Sequence, residues 1–118
     1  MNTLKNKNKN YNMHKKFIIY DGDVRLGHVD FHKELGPDKS LIKGGGWWHY
    51  DKENDIMYLY SSSMDFGYVT RENLIDAIHN GKTSRSRKGT KFFHSFKDFL
   101  DIAMVDPEGI WIEVPQEN

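Results

Sequence analysis

Residues 44–67, GGGWWHYDKENDIMYLYSSSMDFG, set two strand-like runs around one central turn. In the second run Ile56, Tyr58 and Tyr60 alternate with Met57, Leu59 and Ser61, the period of two that a pleated strand imposes. KEND between the runs supplies the turn, so the first constraint on the fold is a hairpin pairing roughly 40–51 with 55–62. That leaves the glycines at one end and the serines at the other without a role in the turn. Glycine lets a backbone approach a neighbour or ligand closely and serine adds a hydroxyl, a combination that suits a compact anion. The plainer alternatives are a bulge or tight bend at Gly44–Gly46 and serines that satisfy local backbone.

The remaining elements follow from shorter signals. KKFIIY (15–20) fits a buried strand, and YDGD turns the chain with Gly22 free to adopt positive φ. The stretch VRLGHVDFHKEL (24–35) carries two periods at once. With period two, His28, Asp30 and His32 share a strand face. With helical period, Val29 or Phe31 joins His32 and Leu35, and Gly36-Pro37 supplies a stop, which favours a short helix from near His28. Thr70 caps a helix, TRENLIDAIHNG, with an apolar stripe of Leu74, Ile75 and Ile78 and a terminating Gly81. KFFH is a strand, Ser95 caps a second predicted helix, FKDFLDIAM, and IWIEV (110–114) closes the chain as a strand. The expected fold is α+β: one domain with a mainly antiparallel sheet of about five or six strands and two or three helices packed on it.

Composition narrows the function classes. A chain of 118 residues without cysteine has no disulfide framework and no thiolate chemistry, which fits a reducing compartment. No apolar run approaches the roughly 18 to 20 residues of a membrane helix, and the basic start lacks the apolar centre of a secretory signal. The expectation is a cytoplasmic protein with no membrane partner. The net charge of +0 is unevenly spread: residues 1–16 hold five Lys and no acid, and residues 82–91 hold five more cations and no acid. Seven cations then face all 17 acids elsewhere, a balance of −10. Such a body repels nucleic acid broadly and argues against it as a partner. Residues 1–14, rich in Lys and Asn, read as a disordered basic segment ahead of a single domain over 15–118.

Read in order, these stretches resemble the small phosphohistidine phosphatases, the Janus family. That family carries a Lys on its first strand and a Tyr-His-Ala-Asp type stretch that opens a helix. It then has Gly-Gly-Gly at the start of a hairpin arm and a Tyr-x-x-Ser-Met-x-Tyr-Gly type loop after the second arm. Lys16, His28 in GHVDFH, Gly44–Gly46 and YSSSMDFG (60–67) would correspond. The resemblance covers roughly residues 14–80, leaving 90–118 as an addition. It implies a metal-independent phosphatase, without cofactor, acting on phosphohistidine or a related phosphoramidate or phosphoester. The substrate would be a phosphorylated protein or a small phosphorylated molecule. His28 would be general base or nucleophile, with Lys16, Gly46, Ser63, Met64, Asp65 and Arg71 around the phosphate. Two departures bear on activity: Trp47 stands where the family has Arg, and Asp65 where it has a small residue. A histidine a few residues further along the family loop appears here as Arg71, which could restore positive charge.

The chemistry suits these residue types. Hydrolysis of a P–N bond passes through a loose, metaphosphate-like transition state, so positioning and stabilisation of the phosphoryl oxygens dominate. Backbone N–H groups, the Ser63 hydroxyl and the Lys16 ammonium could supply that, and imidazole can take a proton or attack phosphorus near neutral pH. Three other readings compete. The chain could be an inactive member of the fold that binds an anion or a protein; His28 and His32, four apart, could ligate zinc; and the 82–91 loop could touch nucleic acid. Trp47, Trp48 and Trp111 read as packing residues.

Overall fold

The computed structural model describes residues 14–85 and 89–114, the side chains of residues 84 and 85 excepted. Six strands form one sheet: β1 (Lys15–Tyr20), β2 (Asp23–His28), β3 (Ile42–Asp51), β4 (Ile56–Tyr60), β5 (Lys91–His94) and β6 (Ile110–Glu113). Their order across the sheet is β2-β1-β3-β4-β5-β6, antiparallel everywhere except β4–β5. The parallel pair needs a crossover, which α1 (Arg71–Asn80) and one further turn (Lys82–Arg85) provide. Among the described residues, no helix is long and apolar enough to cross a membrane. The expected basic segment 1–14 lies outside the described residues except for His14, whose Nε2 stands 3.0 Å from Asp30 Oδ1.

The α+β architecture follows from local chemistry. Asp21 and Gly22 take φ of 50° and 79°, closing the β1–β2 hairpin where YDGD suggested a turn. Asp55 at φ 55° closes β3–β4, held by Tyr50 Oη donating to its carboxylate at 2.7 Å. Thr70 Oγ1 accepts the Asn73 N–H at 3.1 Å and Gly81 follows the last residue of α1. Leu74, Ala77 and Ile78 of that helix pack on Phe17, Ile19, Val24, Met57, Leu59, Phe92 and Ile112, which occupy one face of the sheet. The other face carries Ile18, Tyr20 and Ile42, covered by Leu35, Leu41 and Phe66 from short turns and loops.

Two predicted helices are absent. The first fails because residues 23–28 pair with β1 in unbroken register from Tyr20↔Asp23 to Lys15↔His28. Strand pairing overrides the helical period, and only a 3-10 turn, His32–Leu35, is left before Gly36. The second fails at its cap. Ser95 Oγ donates to Asp106 at 2.8 Å and accepts the Lys97 N–H at 3.1 Å, a local turn that competes with helix. Phe99 is accordingly 88% exposed rather than packed, and only Ile102–Met104 forms a 3-10 turn.

His94 ends β5 on the α1 side, 1% exposed, with neither ring nitrogen hydrogen-bonded among the described residues. Burial, aided by the Arg71 charge, pushes its pKa down from 6.5 to about 4. The unfolded chain therefore takes up a proton here that the folded protein refuses. Stability is full above pH 6.5 and falls as the pH drops towards about 4. The full gap corresponds to about 3 kcal/mol. His94→Phe should flatten that decline in urea unfolding at pH 7 and pH 4.5; an undiminished decline would show that residue 94 is not buried in the neutral form.

Candidate functional site

The imidazole that meets the glycine run is His32. Phe31 precedes the 3-10 turn, and the Glu34 carboxylate accepts the Phe31 N–H at 2.7 Å, fixing the turn so that the His32 ring lies over β3. Nε2 is 2.8 Å from the Gly46 carbonyl, and since a carbonyl only accepts, Nε2 carries a proton. A Cβ on Gly45 would stand 3.0 Å from His32 Cδ2 and 2.6 Å from the Phe17 carbonyl, so the ring needs glycine beneath it. Gly44 serves differently, with φ of 94° and the Tyr68 carbonyl 2.6 Å from where a Cβ would sit. His32 as a whole is 7% exposed, yet its Nδ1 is not sealed from solvent and forms no hydrogen bond among the described residues. The second nitrogen therefore keeps an accessible lone pair.

Two opposite charges act on this ring. Lys16 follows the parity of Ile18 onto the same sheet face, donates from Nζ to the Asp30 carbonyl and sits 5.4 Å from the Trp47 ring. Burial holds the His32 pKa below its ordinary 6.5; the Gly46 hydrogen bond opposes that, Lys16 adds to it and Asp65 opposes it. At neutral pH the ring is uncharged.

Asp65 belongs to a tight loop after β4. Gly67 N donates to Ser63 O at 2.8 Å, Ser63 N to Gly67 O at 3.2 Å, and Gly45 N to Gly67 O at 3.1 Å, which ties the loop to β3 beside the His32 ring. Ser63 is 2% exposed, and its Oγ accepts the Phe66 N–H at 3.1 Å. Its N–H donates and its hydroxyl oxygen accepts within the loop. The N–H groups of Met64 and Asp65 have no partner among the described residues, and both residues are exposed. They are the loop's available donors.

The sequence-predicted residues separate into two groups. Lys16, Gly46 and Asp65 act on the His32 ring, and Ser63 and Met64 share the loop that carries Asp65. His28 does neither. Its parity is that of Val24 and Leu26, which face α1, and its ring meets Trp48 edge-on at 5.2 Å. Arg71 is also on the α1 side, where Nη2 donates to the Glu108 carbonyl at 2.8 Å and the guanidinium covers the Phe96 ring at 4.7 Å. His28 and His32 therefore sit on opposite faces and cannot share a zinc ion, and no cluster of three metal-ligating side chains occurs among the described residues. Trp48 packs against the core, Trp47 is half-buried, and Trp111 is 51% exposed against Phe93. Of the basic 82–91 loop, residues 86–88 lie outside the described residues. A signal for His32 was present: Phe31-His32-Lys33-Glu34 is an aromatic–His–x–acid run opening a helical turn.

Comparison with protein-family models, with curated proteins and with solved structures finds no match to this chain. The geometry itself predicts a titration pattern. By NMR, His32 should titrate below 6.5, Lys16→Met should raise that value, Asp65→Asn should lower it further, and Arg71→Met should leave it unchanged. A response to Arg71 and none to Lys16 would contradict the arrangement.

Proposed function

We propose that the protein is a phosphohydrolase that breaks the P–N bond of a phosphohistidine or related phosphoramidate without needing a metal, with His32 as the reacting imidazole. The observation that carries this reading is the shared face: a neutral ring with one accessible nitrogen, an ammonium and two unbonded amides. The resemblance to the phosphohistidine phosphatases supports it too, since Phe31–Glu34 fits the aromatic–His–x–acid stretch of that family at least as well as the segment around His28 does.

In the general-base route, water attacks phosphorus while the P–N bond breaks. Nδ1 of His32 takes the water proton, the leaving nitrogen collects a proton from solvent, and inorganic phosphate departs. In the nucleophilic route, Nδ1 attacks phosphorus as the substrate P–N bond breaks and the leaving nitrogen takes a proton from solvent; water then attacks the same phosphorus, releasing inorganic phosphate and restoring the ring. Either way the Nε2–Gly46 bond fixes which nitrogen reacts, and Lys16 with the Met64 and Asp65 amides offers donors to the phosphoryl oxygens.

One observation favours a non-catalytic module of the same fold. The Lys16 ammonium is already engaged by the Asp30 carbonyl and the Trp47 ring, and Trp47 stands where the family carries Arg. Phosphate release from a phosphohistidine peptide separates the two. His32→Ala should reduce it about 10²- to 10⁴-fold, while His28→Ala should leave it near the parent level. No release by the parent protein, with phosphate binding intact, would establish the module instead.

A further inference from the structure

Asp65 is a poor choice of residue for a loop that holds a phosphoryl group. Its carboxylate is exposed and has no ion-pair partner among the described residues. It belongs to the same residue as one of the two unbonded amides, on a loop tied to Gly45 by the Gly67 carbonyl at 3.1 Å. Any phosphoryl group seated on the Met64 and Asp65 amides therefore lies beside a fixed negative charge. Lys16 offsets part of that charge at the ring, but its ammonium is anchored on the Asp30 side. A ligand carrying only negative charge meets an unfavourable neighbour here. One that brings its own cation next to the phosphoryl group meets a favourable one.

The wider field has the same sign. Over the described residues 14–85 and 89–114 there are 16 Asp and Glu against 12 Lys and Arg, a modest balance of −4 that favours basic segments over acidic ones. The exposed apolar side chains of Met64 (101%) and Phe31 (57%), next in the chain to Asp65 and His32, leave an open surface that suits a polypeptide.

We infer that Asp65 is a specificity residue, and that the substrate is a phosphorylated nitrogen carried on a polypeptide segment whose flanking residues are Lys or Arg. This rests on the phosphohydrolase reading above. The carboxylate takes no part in breaking the P–N bond; it pairs with the flanking cation and so positions the phosphoryl group over the loop amides. It also raises the barrier for acidic sequences.

The test uses the full chain and two phosphohistidine peptides that differ only in flanking residues, Lys on both sides or Glu on both sides. The parent protein should prefer the Lys-flanked peptide in kcat/KM by about tenfold or more, and the preference should shrink as salt rises from about 50 to about 500 mM. Asp65→Asn, which keeps the side-chain shape, should bring the ratio close to one, by lowering kcat/KM for the Lys-flanked peptide and raising it for the Glu-flanked one. Hydrolysis with a ratio that Asp65→Asn leaves unchanged, or with no preference in the parent, overturns this inference and leaves the phosphohydrolase reading standing. Hydrolysis of neither peptide overturns both.

Discussion

A single hydrogen bond, from His32 Nε2 to the Gly46 carbonyl at 2.8 Å, sets the geometry on which the rest of the site depends. It needs the ring close against β3, which only glycine at position 45 permits. The bond also decides chemistry. With the proton held at Nε2, the accessible nitrogen is Nδ1, and burial keeps the ring neutral. A neutral–neutral bond of this kind contributes only about 1 kcal/mol net, while leaving the buried group unsatisfied would cost about 1–3 kcal/mol. Its importance lies in orientation more than in stability.

The sheet divides the work between its faces. One face, packed by α1, holds the larger apolar cluster together with His94 and Arg71, whose charge helps keep that imidazole unprotonated. Among the described residues no full helix covers the opposite face. Short turns and the Ser63–Gly67 loop cover Ile18, Tyr20 and Ile42, and the space left beside them receives His32, Lys16 and Asp65. Function is thus proposed where regular structure ends, on loops held by a rigid strand.

The sequence carried most of the sheet openly. Alternation at 56–60, the YDGD turn, the Thr70 cap and Gly81 each correspond to an observed element. Two stretches misled because local signals had competitors. In 24–35 the helical and strand periods coexist, and pairing with β1 chose the strand. At Ser95 a capping hydroxyl faced a helix start and a buried Asp106, and bonded to the latter. The site inherited the first ambiguity. Once 23–28 is a strand, His28 shares its parity with Val24 and Leu26 and belongs to the α1 face, so the imidazole beside Lys16 must come from beyond the strand end. Arg71 stands where the resemblance puts a family histidine, and α1 carries it to the far side of the sheet.

The tautomer of His32 tests this account most directly, because every chemical statement about the site passes through it. Long-range ¹H–¹⁵N correlation at pH 7.5 reads the two ring nitrogens separately. The structure requires a protonated Nε2 with slowed exchange and an unprotonated Nδ1. A proton on Nδ1, or a ring averaging between tautomers as a free side chain does, would contradict it.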